Sequence, residues 1–105
     1  NDPAYVEMAA SLAARIIADQ PGSDPRTRIT YAFRLCVART PHTEEVDALE
    51  NLWQQEVERL KADNPQAEQL IPPGQRHADI PVAEQATWFS VANVLLNLDE
   101  TITKN

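Results

Sequence analysis

The stretch that decides the fold is "VAEQATWFSVANVLLNL", residues 82–98. On a helical wheel at about 100° per residue, its large apolar side chains sweep an arc of roughly 220°. A helix on the surface of a bundle needs an apolar stripe of only about 100°. We therefore expect this helix to be covered on two sides and to be the central helix of a bundle. The arc comprises Trp88, Phe89, Val91, Ala92, Val94, Leu95, Leu96 and Leu98.

A narrow polar strip runs along the same helix, because Ser90, Asn93 and Asn97 fall together on the wheel. We interpret it as the polar edge of a helix that is otherwise mostly buried. Asp99 and Glu100 follow directly and are expected to end the helix. Carboxylates are unfavourable at a helix C-terminus, where the backbone carbonyls carry a partial negative charge. The sequence therefore predicts a compensating cation near residues 99 and 100.

Prolines mark most of the other predicted helix boundaries. Asp2-Pro3 and Asp24-Pro25 each have the pattern of a helix cap followed by proline in the first turn. Thr40-Pro41 stops the second helix, and Asn64-Pro65 opens a short fourth one. The predicted helices cover residues 3–19, 26–39, 43–63, 66–71 and 82–98. The expected fold is all-α: a single domain, residues 1–105, forming a helical bundle of four main helices plus one short helix.

The composition agrees with an α-helical domain and excludes some partners. The chain has 105 residues, 43% of them hydrophobic and only two of them glycine, which favours helix over sheet. Its net charge of −7 would repel a phosphate backbone, so no nucleic-acid partner is expected. No apolar run approaches the length of a transmembrane helix, so no membrane insertion is expected.

The second and third predicted helices carry opposite charge. Residues 24–39 hold four Arg and one Asp, whereas residues 43–63 hold seven carboxylates and two cations. The connection between them is short, so we expect the two helices to pack on each other. The cap of the third helix is ambiguous among Thr40, His42 and Thr43. His42 with Glu45 would form only a poor capping box, since histidine is not a favoured cap.

Familiar cofactor and catalytic patterns do not fit the sequence. The single cysteine, Cys36, rules out a c-type haem motif, which needs two cysteines followed by histidine. Neither His42 nor His77 follows a Glu by three residues, as a di-iron carboxylate bundle would require. We expect Cys36 to be a buried packing residue, and we expect the domain to hold neither cofactor nor metal.

Two further features each allow two interpretations. Trp53, Trp88 and Phe89 would line a ligand pocket or, more simply, belong to the core, since each lies in an apolar helical stripe. The segment "PPGQRHAD", residues 72–79, would be a recognition loop or a plain connector between helices. We favour the core and the connector.

One candidate polar cluster emerges, made of Arg39, Asn97, Asp99 and Glu100. If the end of the second helix meets the end of the fifth, Arg39 can hold a carboxylate of Asp99 or Glu100 through two parallel hydrogen bonds. Asn97 would cap the last carbonyls beside it. Glu45 is the competing partner of Arg39, because it lies only six residues further along the chain.

Three stretches of the chain carry a resemblance to a known family. They are "NDPAYVEMAASLAARI" at 1–16, "YAFRLCVARTPHTEE" at 31–45 and "ATWFSVANVLLNLDETITK" at 86–104. Together they resemble a C-terminal domain of unknown function found in large planctomycete proteins with cytochrome c-like modules. His42 departs from the family pattern, which often has a capping Thr at this position.

The resemblance implies a C-terminal fragment of a larger secreted or periplasmic protein whose haem and catalysis reside in other domains. We therefore expect a non-enzymatic accessory module that contacts other domains of its parent chain or an envelope protein. The alternative is a helical part of an envelope enzyme whose active site other domains complete. A polar pocket around Arg39, Asn97 and Asp99 would favour the enzyme, and an exposed apolar patch would favour the module.

Overall fold

A computed structural model describes the backbone of residues 3–62 and 64–103, and the side chains of these residues except 62, 64 and 99–103. It contains five α-helices: α1 (Pro3–Asp19), α2 (Pro25–Val37), α3 (Thr43–Ala62), α4 (Asn64–Leu70) and α5 (Val82–Thr103). A short 3₁₀ turn, Pro73–Gln75, lies between α4 and α5. The described residues form no β-strand. The predicted all-α bundle of four main helices and one short helix is confirmed.

The helix α5 is the central element of the bundle, as its wide apolar arc predicts. It packs against α1, α2, α3 and α4, and these are the four most extensive helix–helix contacts of the fold. Trp88 is only 2% exposed, and Val91 and Leu95 are fully buried. The core therefore assembles around α5, and each of the other helices covers one part of its surface.

One edge of the apolar arc of α5 is not covered by the other helices. Val94 and Leu98, one turn apart at one edge of the arc, are each 37% exposed. The helix is mostly buried, as expected, but these two apolar positions stay partly open to solvent. The four neighbouring helices cover the side of α5 that carries Val91, Leu95 and Ala92 and stop short of this edge.

Two helix ends differ from the prediction. The helix α2 ends at Val37 rather than at residue 39, because Ala38 adopts the left-handed conformation with φ 61° and its N–H bonds to the carbonyl of Arg34. The helix α5 continues to Thr103 rather than ending near residue 98. Residues 99–103 contain neither Gly nor Pro, so no residue in this segment interrupts the backbone hydrogen bonds.

Local capping explains where α2 and α3 begin. The Asp24 carboxylate accepts a 2.8 Å hydrogen bond from the backbone N–H of Thr27, which confirms the predicted cap of α2. The backbone N–H of His42 donates to the Glu45 carboxylate at 2.8 Å. This second bond is the half of a capping box that the glutamate supplies. The helix α3 therefore begins after His42, although histidine is a poor cap.

Candidate functional site

The predicted polar cluster divides into two contacts, one at Arg39 and one at Asn97. The Arg39 guanidinium holds the Glu45 carboxylate through two hydrogen bonds of 3.0 and 2.8 Å. It also lies over the ring of Phe33, 4.9 Å from the ring centre. Glu45 is the alternative partner that the sequence offers for Arg39. It lies in the first turn of α3, and this position brings it to the end of α2.

The other two members of the predicted cluster lie outside the described side chains. The proposed contact of Arg39 with Asp99 or Glu100 therefore stays a prediction. The argument that these carboxylates end the helix is wrong, because α5 runs on to Thr103. Asp99 and Glu100 lie within its last two turns.

Asn97 belongs to a contact between α5 and α1. Its side-chain oxygen accepts a 3.0 Å hydrogen bond from the Tyr5 hydroxyl, which also lies 3.2 Å from the backbone oxygen of Asn93. On the same polar strip, Ser90 donates a 2.7 Å hydrogen bond to Glu56 of α3. The strip therefore carries side-chain hydrogen bonds from α5 to two neighbouring helices, α1 and α3.

The ion pair with Arg39 changes the acidity of Glu45. The guanidinium first, and the backbone N–H of His42 second, lower the pKa of Glu45 from 4.5 to about 2. Both stabilise the charged form of the carboxylate. The Arg39–Glu45 pair therefore has a structural role. It joins the end of α2 to the start of α3, and Glu45 also accepts the backbone N–H of His42 at the beginning of α3.

A cleft between α3 and the first turns of α5 is a candidate ligand site. Its volume is about 320 Å³, and its walls include Trp53, Trp88 and Lys61. The two indole rings are tilted by 42° with their centres 6.4 Å apart. Trp88 is buried, as the core interpretation predicts, whereas Trp53 is half-buried and lines the cleft.

One residue of this cleft, Arg28, was missed by the sequence argument. It is 8% exposed, donates from Nε to the carbonyl of Gln20 at 2.9 Å, and reaches Glu84 at 3.2 Å. Its guanidinium carbon lies 5.6 Å from the centre of the Trp88 ring. The sequence does carry a signal that Arg28 faces the core. Arg28 lies one turn before the buried Ala32, so both are on the inward face of α2.

Residues 72–79 form a connector that hydrogen bonds hold against α4 and α5. Arg76 donates to the carbonyls of Ile71 and Glu68 at 2.9 and 2.6 Å, so it satisfies backbone groups at the end of α4. The buried side chain of Gln85 accepts from the N–H of His77 at 3.0 Å and donates to its carbonyl at 2.9 Å. These bonds hold the connector against the start of α5.

A second candidate site is a groove on the surface of the bundle that is lined mainly by apolar residues. A groove of about 370 Å³ lies among α1, α2 and α5, and its lining includes Met8, Leu35, Cys36 and Leu96. Met8 is 55% exposed, and Leu35 is exposed as well. Cys36 is half-buried rather than buried, which corrects the expectation of a fully buried thiol.

Among the residues that the structure describes, no three His, Cys, Asp or Glu side chains form a group that could hold a metal ion. None of the described helices is long and apolar enough to span a lipid bilayer. No family model matches the chain, and neither the curated proteins nor the solved structures contain a match to it.

Proposed function

We propose that this domain is a non-enzymatic interaction module that docks onto other domains of a larger parent protein or onto an envelope protein. The observation that supports the proposal is the exposed edge of α5 formed by Val94 and Leu98. This edge belongs to the apolar arc of the central helix, and α1–α4 cover the middle of that arc, where Trp88, Val91 and Leu95 are buried. The surface of a partner protein would bury Val94 and Leu98.

The physical reason is the free energy of burying apolar surface. Each fully buried aliphatic side chain contributes about 1.5–3 kcal/mol relative to the exposed state. Val94 and Leu98 lie on adjacent turns, so a single apolar helix or loop of a partner can contact both. In this proposal the parent is secreted or periplasmic, any haem belongs to its other domains, and the partner is a protein rather than a nucleic acid.

A photoreactive amino acid tests the proposal directly. We would place p-benzoylphenylalanine at position 98 in the full parent chain and, as the control, at the exposed position 58 of α3. Position 98, and not position 58, should give one discrete crosslinked product. The crosslinked peptide should map to another domain of the parent or to one envelope protein. Leu98→Glu should then weaken binding of that purified partner at least tenfold. Identical crosslinks from both positions would overturn the proposal.

The second candidate, a helical part of an envelope enzyme, draws on the cleft at Trp53. The cleft combines an accessible indole face with the charged side chains of Lys61 and Glu84, as small-molecule sites often do. NMR of the domain with small aromatic acids discriminates the two candidates. Shifts centred on the Trp53 indole N–H would favour the enzyme, whereas crosslinking at position 98 without such shifts favours the interaction module.

A further inference from the structure

The cleft between α3 and the first turns of α5 differs in charge from the chain as a whole. The chain has a net charge of −7, whereas the cleft is lined by two cations, Arg28 and Lys61, and by one carboxylate, Glu84. Arg28 and Glu84 pair with each other at 3.2 Å. The side chain of Lys61 makes no ion pair and no hydrogen bond with any residue that the structure describes. The cleft therefore offers one positive charge that this part of the chain does not neutralise.

The start of α5 adds to the positive character of the cleft. Pro81, directly before the helix, and Ala83, in its first turn, both line the cleft. The first N–H groups of a helix have no acceptor within it and carry a partial positive charge. Pro81 has no side-chain oxygen that could accept from them. An anionic group in the cleft is therefore attracted both by Lys61 and by the start of α5.

The two tryptophans supply hydrogen-bond donors as well as apolar walls. Trp88 is 2% exposed, and neither its indole N–H nor that of Trp53 donates a hydrogen bond to any described residue. Among the described side chains, however, no buried nitrogen is left without a hydrogen-bond partner. Solvent therefore reaches both indole nitrogens, and both rings line the cleft. Because an indole N–H can only donate, an occupant of the cleft is expected to offer oxygen acceptors.

These donors are spread along the cleft. Trp53, Val57 and Lys61 line it at four-residue spacing, so the backbone positions of Trp53 and Lys61 lie about 12 Å apart along α3. A small aromatic acid is too short to contact both ends at once. An extended peptide covers this distance in about four residues and presents backbone carbonyls along its length. The spread of the donors therefore favours a peptide segment over a small acid.

We infer that this cleft binds an extended acidic segment of a protein partner. An apolar side chain of the segment packs against Trp53 and Val57, and a carboxylate about four residues away pairs with Lys61. Backbone carbonyls of the segment accept from the indole N–H groups. The inference rests on the proposed function only in taking the partner to be a protein, and it uses residues other than Val94 and Leu98.

A symmetric peptide tests the inference without assuming the direction of the segment in the cleft. The probe EASAFASAE, acetylated and amidated, carries a carboxylate on both sides of its phenylalanine at the expected spacing. QASAFASAQ and KASAFASAK are its neutral and basic counterparts. NMR titration of the isotope-labelled chain, followed at the indole N–H signals of Trp53 and Trp88, measures each affinity. The acidic peptide should bind about two- to fivefold more tightly than the neutral one, as one exposed ion pair allows, and the basic peptide should bind most weakly.

Charge reversal at Lys61 assigns the effect to the cleft. In Lys61→Glu the order of affinities should invert, so that KASAFASAK binds best. Arg34→Glu is the matched control, since it is an equal charge reversal at an exposed position of α2 that does not line the cleft, and it should keep the wild-type order. Both positions are exposed, and circular dichroism melts would confirm that both variants are folded. Benzoate, a free carboxylate, should give no saturable shift at concentrations at which the acidic peptide saturates.

Three results would overturn the acidic segment: equal binding of the acidic and neutral peptides, the same order of affinities in the wild type and Lys61→Glu, or benzoate binding as tightly as the peptide. These outcomes are separate from the crosslink at position 98. A discrete crosslink there without peptide binding keeps the docking proposal and rejects the acidic segment. Peptide binding in the expected order without that crosslink supports the acidic segment and rejects docking at Val94 and Leu98.

Discussion

Arg39 and Glu45 join the end of α2 to the start of α3 through two hydrogen bonds, 3.0 Å from Nη1 to Oε1 and 2.8 Å from Nη2 to Oε2. The fork of the guanidinium matches the two oxygens of the carboxylate, which makes the pair directional as well as charged. Glu45 also accepts the backbone N–H of His42. One side chain therefore serves both as ion-pair partner and as half of a helix cap.

This pair predicts an acid-sensitive contribution to stability. The pKa of Glu45 is about 2 in the folded chain and 4.5 without the pairing. A carboxyl with a lowered folded-state pKa contributes fully above the unfolded value, and the contribution disappears as pH falls from about 4.5 to about 2. Because the pair is exposed, the loss at neutral pH in Glu45→Gln should be only about 0–1 kcal/mol.

Urea unfolding of the wild type and Glu45→Gln at pH values across this window is the measurement. The gap between the two proteins should shrink as the pH falls. Glu58→Gln, on the exposed face of the same helix, is the matched control. A gap that stays constant down to the lower end of the window would show that the charge of Glu45 contributes nothing.

The left-handed residue at the end of α2 gives a second prediction. Ala38 has φ 61°, a conformation that costs an L-residue with a Cβ atom roughly 1–2 kcal/mol. Glycine avoids this strain but loses more entropy on folding. Ala38→Gly should therefore stabilise the protein by about 0.5–1 kcal/mol, measured by urea unfolding.

Gly22 allows the opposite substitution, in which alanine replaces a glycine that has a positive φ. Its φ is 70°, and an added Cβ would meet no atom within 4 Å, so a substitution there tests backbone strain without a steric clash. Gly22→Ala should destabilise by about 1 kcal/mol. If both variants changed stability in the same direction, the conformational argument would fail.

Local signals in the sequence explain why much of the fold was predictable. Asp24 followed by Pro25 fixes the start of α2, and the broad apolar arc around Leu95 identifies the central helix. The end of α2 was not predictable in this way. The sequence carries Ala rather than Gly at position 38, so the usual residue that signals a left-handed helix end is absent.

The site residues were harder to predict because their partners are distant in sequence. Arg28 is held by Glu84, 56 residues further along, and by the ring of Trp88. A sequence pattern indicates that Arg28 lies on an inward face. Only the packing of α2 against α5 shows that its guanidinium pairs with Glu84 and lies near the Trp88 ring. Arg39 was identified from the sequence as part of a polar site. In the described structure its partner is Glu45, which is nearer in the chain than the alternatives Asp99 and Glu100.

Arg28 supplies the third prediction. Its guanidinium satisfies the Gln20 carbonyl at the end of α1 and pairs with Glu84, which remains partly solvated. Arg28→Ala should cost about 2–3 kcal/mol, below the roughly 3–5 kcal/mol for breaking a fully buried ion pair. Arg28→Lys keeps the charge but loses the Nε donor and the planar contact with Trp88, so it should recover only part of the loss. Full recovery in the lysine variant would show that charge alone matters.

The last prediction compares the covered centre of the apolar arc of α5 with its exposed edge. Leu95 is fully buried, whereas Leu98 is 37% exposed on the same helix. Leu95→Ala should cost about 2–5 kcal/mol, because it removes buried methyl groups and leaves a cavity. Leu98→Ala removes the same atoms from a half-solvated position, and its cost in the isolated domain should stay below about 1 kcal/mol.

Denaturant unfolding of both variants, with and without the partner that binds the exposed edge, separates packing from docking. Leu95→Ala should lower the stability of the domain by the same amount in both conditions. Leu98→Ala should lower it further only when the partner is present, because the partner then buries Leu98. A large loss for Leu98→Ala in the isolated domain would mean that α5 is already covered at this edge. The argument for docking at Val94 and Leu98 would then fail.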